Sequence, residues 1–155
     1  MVPAGNPGKI AAVGDLGKPE VRISQPDPEN EDIARHILHM YEDAGGPALV
    51  RRIMEEKRAE GTTVLTMVHH RETPLRIGMK TVDVGPVWAT EAVHARSTGL
   101  AFEVVEPGGG LDQRNRIQYD ACRLDRAPHR QAAAAFVDFL LGPEAQDIFR
   151  RQSRR

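Results

Sequence analysis

The stretch Gly78-Met79-Lys80-Thr81-Val82-Asp83-Val84-Gly85-Pro86-Val87-Trp88-Ala89-Thr90-Glu91 decides the fold class. It reads as the end of a helix, a turn, a short buried strand carrying Val82, Val84 and Val87, and the start of another helix. Such a succession builds a parallel sheet, so the chain reads as α/β. The strand breaks at Gly85-Pro86, just before the single tryptophan, Trp88. Ligands of open α/β sheets bind outside the carboxyl ends of the strands. Trp88 and the next helix start fall there, which makes them a candidate wall of a binding cleft.

Upstream, Val21-Arg22-Ile23-Ser24 alternates between Pro19 and Pro26 and predicts a strand. One helical turn at Asp15-Leu16, stopped by Pro19, and an extended segment over residues 1–13 precede it. A helix is predicted from about Pro28 to Ala44, with Asp27 as its N-cap and Pro28 at its first position. Glu29, Glu31 and Asp32 suit the positive end of its dipole. Ile33, Ile37, Tyr41 and Ala44 share one face, and Gly45-Gly46 ends the helix. A second helix, about Pro47 to Glu60, turns Leu49, Val50, Ile53 and Met54 inward. It sends Arg51, Arg52, Glu55, Glu56, Lys57 and Arg58 to solvent. Thr62 to Met67 is a β-branched strand, and Val68 to Gly78 is a polar loop feeding a short helix.

Downstream, Ala89 to Thr98 predicts a helix closed by Gly99, and Ala101 to Val105 a strand. Gly108-Gly109-Gly110 is a flexible connection; no GK[ST] follows it, so it is not a phosphate loop. Ile117 to Leu124 alternates as a half-buried strand, with Cys122 inside it as a buried structural thiol. An alanine-rich helix after Pro128-His129 carries Phe136 and Phe139, and Gly142-Pro143 separates it from a last helix with Ala145, Ile148 and Phe149. The basic end, Arg150-Arg151-Gln152-Ser153-Arg154-Arg155, is a solvated helix terminus.

The 155 residues fit one domain of usual size, and a net charge of -1 gives no general pull toward nucleic acid or membrane. No apolar run approaches the ~20 residues that span a bilayer. The N-terminus lacks the charged and apolar regions of a signal peptide. Pro3, Gly5 and Pro7 read as the inside of a longer protein, where a connection crosses over. His36 and His39, three apart on a helix, read as surface histidines. His69, His70 and Glu72 invite a divalent-metal reading, whereas Arg71 either points at an anion held at the helix start or pairs with Glu72 or Glu91. No Ser/His/Asp order or carboxylate pair supports an enzyme; Glu91, His70 and Asp83 are its only candidates. No cofactor is implied.

Pro128-His129-Arg130-Gln131-Ala132-Ala133-Ala134-Ala135-Phe136-Val137-Asp138-Phe139-Leu140-Leu141-Gly142-Pro143-Glu144-Ala145-Gln146-Asp147-Ile148-Phe149 resembles the closing segment of bacterial extracellular solute-binding proteins of ABC importers. Gly78 to Glu91 resembles the family's Gly-x-x-Asp-x-Gly strand with its following aromatic. Asn6-Pro7 resembles the crossing into the second lobe. His69 to Arg76 and Asp83 to Glu91 are similar to the accessory colonization factor relatives of the molybdate- and sulfate-binding branch.

The resemblance implies a three-layer α/β lobe of the periplasmic-binding type, with a mixed, mostly parallel sheet, hinge-crossing strands and C-terminal helices. Residues 1–12 would be a crossing segment from a first lobe preceding Met1, 13–106 the second lobe, and 107–155 the return crossing and terminal helices. The chain is then an N-terminally truncated form. It implies a periplasmic or extracellular location, permease subunits as partners, and a small oxyanion, molybdate or sulfate, as ligand. Ligand contacts would come from Asp27 and Asn30 at a helix start and from Trp88 with Thr90, with Arg71 as counter-charge. Glu29, Glu31 and Asp32 depart from the small neutral residues usual there. Facing the cleft they would favour a cation; facing solvent they leave an oxyanion open.

Overall fold

Residues 1–69, 71–113 and 116–152 are described by a computed structural model, in two units, Met1–Asn115 and Arg116–Arg155. In the first, Val2–Pro3 (β1) and Ile23–Gln25 (β2) are short and fully buried. Strand β2 pairs in parallel with Thr63–Leu65 (β3), with Ile23 opposite Thr63. Val84 bridges Ile23 in parallel on the other side. Phe102–Glu103 (β4) pairs antiparallel with β1. Met1 and Gly85 exchange main-chain hydrogen bonds of 3.0 Å in both directions, which links the two strand pairs. Alternating helices and parallel strands make this a mixed α/β unit with small sheets.

A single 3₁₀ turn, Val13–Gly17, buries Val13 and Leu16. The long helix Asp32–Arg51 (α1) buries Ile33, Ala34, Ile37 and Tyr41, the apolar face written in the sequence. Gly45 and Gly46 break its helical geometry; Gly46 takes a φ of 66°, which its missing side chain tolerates. A π-helical turn, Arg52–Glu56, and the short Lys57–Ala59 (α2) follow. Glu72–Gly78 (α3) and Ala89–Ser97 (α4) complete the helices of this unit. Two buried clusters form its interior, one around Ile23, Ile33, Ile37, Tyr41, Ile53 and Val84, the other around Ile77, Val82, Ala92 and Ala95.

The first unit departs from the expected pattern at two places. The first helix begins at Asp32, with Glu31 in the capping position, because Asp27 folds residues 27–31 into a turn: its carboxylate accepts from Glu29 N–H and Asn30 Nδ2. Lys57 is not on the solvated face. It is fully buried, and its ammonium donates to the carbonyls of Lys18 (2.5 Å), Pro19 (3.3 Å) and Val21 (2.7 Å).

The second unit holds Arg130–Leu141 (α5) and Pro143–Gln152 (α6), parted at Gly142. Ala145 is buried, while Phe136, Phe139, Ile148 and Phe149 remain exposed. Residues 117–124 form no strand and Cys122 is exposed, against the expected half-buried strand with a buried thiol. Alternation specifies a strand only where a neighbouring edge exists to pair with, and this unit contains no described strand. No described helix is long and apolar enough to cross a membrane.

Candidate functional site

The carboxyl ends of β2, β3 and the Val84 segment lie side by side because the three are in parallel register. The loops that leave them carry Asp27, residues 66–69 with Arg71, and Trp88. Thr66 N–H donates to Gln25 O (2.9 Å), and Asp27 N–H donates to Thr66 Oγ1 (3.2 Å), so the first two loops are tied together. The Thr66 hydroxyl donates to Glu31 Oε1, a very close contact, which draws this carboxylate inward. Glu29 and Asp32 are exposed. Gly85 lets the chain pass close to its neighbours: a Cβ there would overlap the Thr73 methyl and lie 3.1 Å from Ser24 O.

Trp88 stands at the N-terminus of α4, which has no side-chain cap. Its ring lies 6.1 Å from that of His36 on α1, tilted by 56°. Thr90 is exposed in the first turn of the helix, and Glu91 beside it is buried. Arg71 comes from the β3–α3 loop and places Nε 3.7 Å from Glu91 Oε2, with 65% of its side chain exposed. Of the five residues nominated from sequence, Arg71 and the Trp88–Thr90 pair thus converge on the start of α4. Asp27 and Asn30 bond to each other in the turn before α1, whose His36 touches Trp88.

Two residues support the site: Glu72, which the sequence offers as a metal ligand or a partner of Arg71, and Arg76, which it does not single out. Glu72 Oε1 accepts from the N–H groups of Met67, Val68 and His69, and its other oxygen meets Arg76 Nη2 at 2.7 Å. Burial pushes the Glu72 carboxyl up, but the three amides and Arg76 outweigh it and hold it below the usual range. Arg76 also donates to Ser24 Oγ, Val64 O and Leu65 O. The i,i+4 spacing of Glu72 and Arg76 was the available signal; their tertiary partners had none.

The metal reading finds Glu72 engaged in this way and His69 Nδ1 accepting from Arg71 N–H at 3.1 Å; His70 lies outside the described residues. Among the described residues no group of three or more His, Cys, Asp or Glu is arranged to hold a metal ion. Asp83, an enzyme candidate, makes a two-pronged pair with Arg22, at 2.7 and 3.0 Å. That bond holds its carboxyl below the usual range.

An α/β unit with an aromatic and a cation at its strand tips places them where ligands of open α/β sheets bind. The family model for bacterial extracellular solute-binding proteins matches residues 1–153, and the chain belongs to that family. Its members bind solutes for transport outside the cytoplasm. No curated protein and no solved structure matches the chain.

Proposed function

We propose that this chain is the solute-gripping part of the binding component of an ABC importer, and that its solute is a small oxyanion of the molybdate or sulfate kind. In this reading residues 13–106 form a three-layer lobe with a mostly parallel sheet. Residues 1–12 and 107–155 supply the crossing segments and terminal helices that join it to a further lobe, and permease subunits receive the loaded protein. The ligand rests against Asp27, Asn30, Arg71, Trp88 and Thr90, held by charge and hydrogen bonds with no covalent step.

The disposition of charge around the start of α4 carries the reading. Of the carboxylates around the α1 start, Asp27 is engaged by its own turn and Glu31 by Thr66, while Glu29 and Asp32 are exposed. Arg71 lies 3.7 Å from Glu91 yet keeps 65% of its side chain exposed, beside a helix start that lacks a side-chain cap. First-turn N–H groups and a guanidinium together favour an anion. The test is a thermal-shift titration with molybdate, tungstate, sulfate and phosphate, read in parallel by Trp88 fluorescence. The unfolding free energy should rise by RT ln(1 + [L]/Kd), lifting the thermal midpoint with ligand concentration, and Arg71→Gln should suppress the rise. No response to any of the four removes the oxyanion reading; stabilisation by a divalent cation, reversed by chelator, replaces it with a metal ligand.

A further inference from the structure

We propose that Glu72 is a positioning residue for this site: its carboxylate is a built-in anion that shapes the β3–α3 loop and thereby sets Arg71 beside the start of α4. The role given to Arg71 rests on the oxyanion reading above; the role of Glu72 rests on the loop itself. Three consecutive main-chain N–H groups, those of Met67, Val68 and His69, converge on Glu72 Oε1 at 2.8, 2.7 and 3.3 Å. Successive amides pointing inward make a concavity that takes a negative charge. The second oxygen pairs with Arg76, which bonds the tips of β2 and β3 through Ser24 Oγ, Val64 O and Leu65 O. One carboxylate therefore fastens the loop to both strands.

Two further bonds carry that order to Arg71. Its own N–H donates to His69 Nδ1 at 3.1 Å, and Glu72 N–H donates to His69 O at 2.9 Å. Apolar packing gives the loop little hold, since Met67 and Val68 are 81% and 86% exposed. A segment with few buried contacts keeps its shape only through its hydrogen bonds. Here the principal acceptor is Glu72.

The test compares wild type with Glu72→Ala and Glu72→Gln by amide hydrogen exchange, with and without sodium acetate, and by molybdate and sulfate titration. In E72A, exchange at Met67, Val68 and His69 should accelerate by roughly tenfold or more while α1 is unchanged. Acetate should slow it again saturably by refilling the nest, and E72Q, which keeps a neutral oxygen, should fall between. Anion affinity in E72A should drop by about tenfold, in line with the loss of a positioning contact. Unchanged exchange in E72A overturns the proposal, and so does lost protection with unaltered anion affinity. Should neither variant fold, the wild-type protein still decides: a scalar coupling across the hydrogen bond from the Met67 or Val68 amide nitrogen to Glu72 Cδ is expected, and its absence overturns the proposal. A wild type that responds to neither anion overturns the oxyanion reading instead, and the two failures are told apart because the exchange and acetate arms need no ligand.

Discussion

Replacing Lys57 with methionine keeps most of the side-chain volume and removes the charge, so it isolates the ammonium that joins α2 to the Lys18–Val21 connection. Three bonds from a charged donor contribute about 1.5–3 kcal/mol each, roughly 4–9 in total. Taking an ammonium out of water costs several kcal/mol. Of the carbonyls left behind, Lys18 O still accepts from Val21 N–H, and Lys18 and Pro19 are exposed enough to be rehydrated. Only Val21 O is left dry, so the net loss in K57M should be about 2 kcal/mol. Urea denaturation followed by Trp88 fluorescence reports the first unit alone, and the midpoint should fall with m unchanged. Burial lowers the Lys57 pKa below its ordinary 10.5. Between the folded and unfolded values the unfolded chain binds the extra proton, so wild-type stability should climb as pH rises through this interval. K57M should lack that climb, and its deficit should widen from neutral pH toward 10.5. A variant as stable as wild type, or a deficit flat with pH, refutes the reasoning.

Tyr41→Phe should cost about 1–2 kcal/mol, because the buried hydroxyl donates to Gln25 Oε1 at 2.8 Å and its loss leaves that oxygen without its donor. Burial raises the Tyr41 ionisation, so the difference in urea midpoint should stay constant up to about pH 9 and narrow above it, where the unfolded tyrosine begins to ionise. Gly85→Ala should cost about 1–3 kcal/mol through overlap with the Thr73 methyl, and adding Thr73→Ser should recover part of it in a double-mutant cycle. The Arg22–Asp83 pair lowers the Asp83 pKa, so its contribution is present above the ordinary aspartate range and is lost as pH falls through the folded value. Asp83→Asn should accordingly shrink the gap between stability at pH 6 and pH 3, measured by the same unfolding curves.

Where the interior follows a local period it was legible. Ile33, Ile37 and Tyr41 recur at helical spacing and are all buried, and Gly45-Gly46 breaks the helix where the pattern stops. Lys57 shows the limit of that logic: a lysine in a charge run reads as solvent-facing, and the carbonyls that bury it lie more than thirty positions upstream. α1 begins four residues later than local spacing predicts, because Asp27 caps a turn as well as it caps a helix and spacing does not distinguish the two. For residues 117–124 the alternation is real, but their own unit has no described strand whose edge could pair with it. At the candidate site, the Arg71–Glu91 pairing was one of two partners the spacing allowed, whereas the ring contact of Trp88 with His36 spans 52 positions and left no trace in either local pattern.

That ring contact explains why the tryptophan is a useful reporter. Along the stretch from Val82 to Trp88 the side chains serve different interiors: Val84 and Trp88 pack with the Ile23–Tyr41 cluster, and Val82 and Val87 with the Ile77–Ala95 cluster. The segment is the partition between the two, and Gly85, pressed against Ser24 and Thr73, sits at its centre with no room to shift. Close-packed interiors transmit displacement rather than absorb it. A solute seated against Trp88 would therefore be resisted by both clusters at once, which favours a preformed wall over one that adapts. Binding should then protect the amides of residues 82–88 from exchange together, as one cooperative segment, and protection confined to Trp88 would mean that the wall gives locally and the two interiors are not coupled through it.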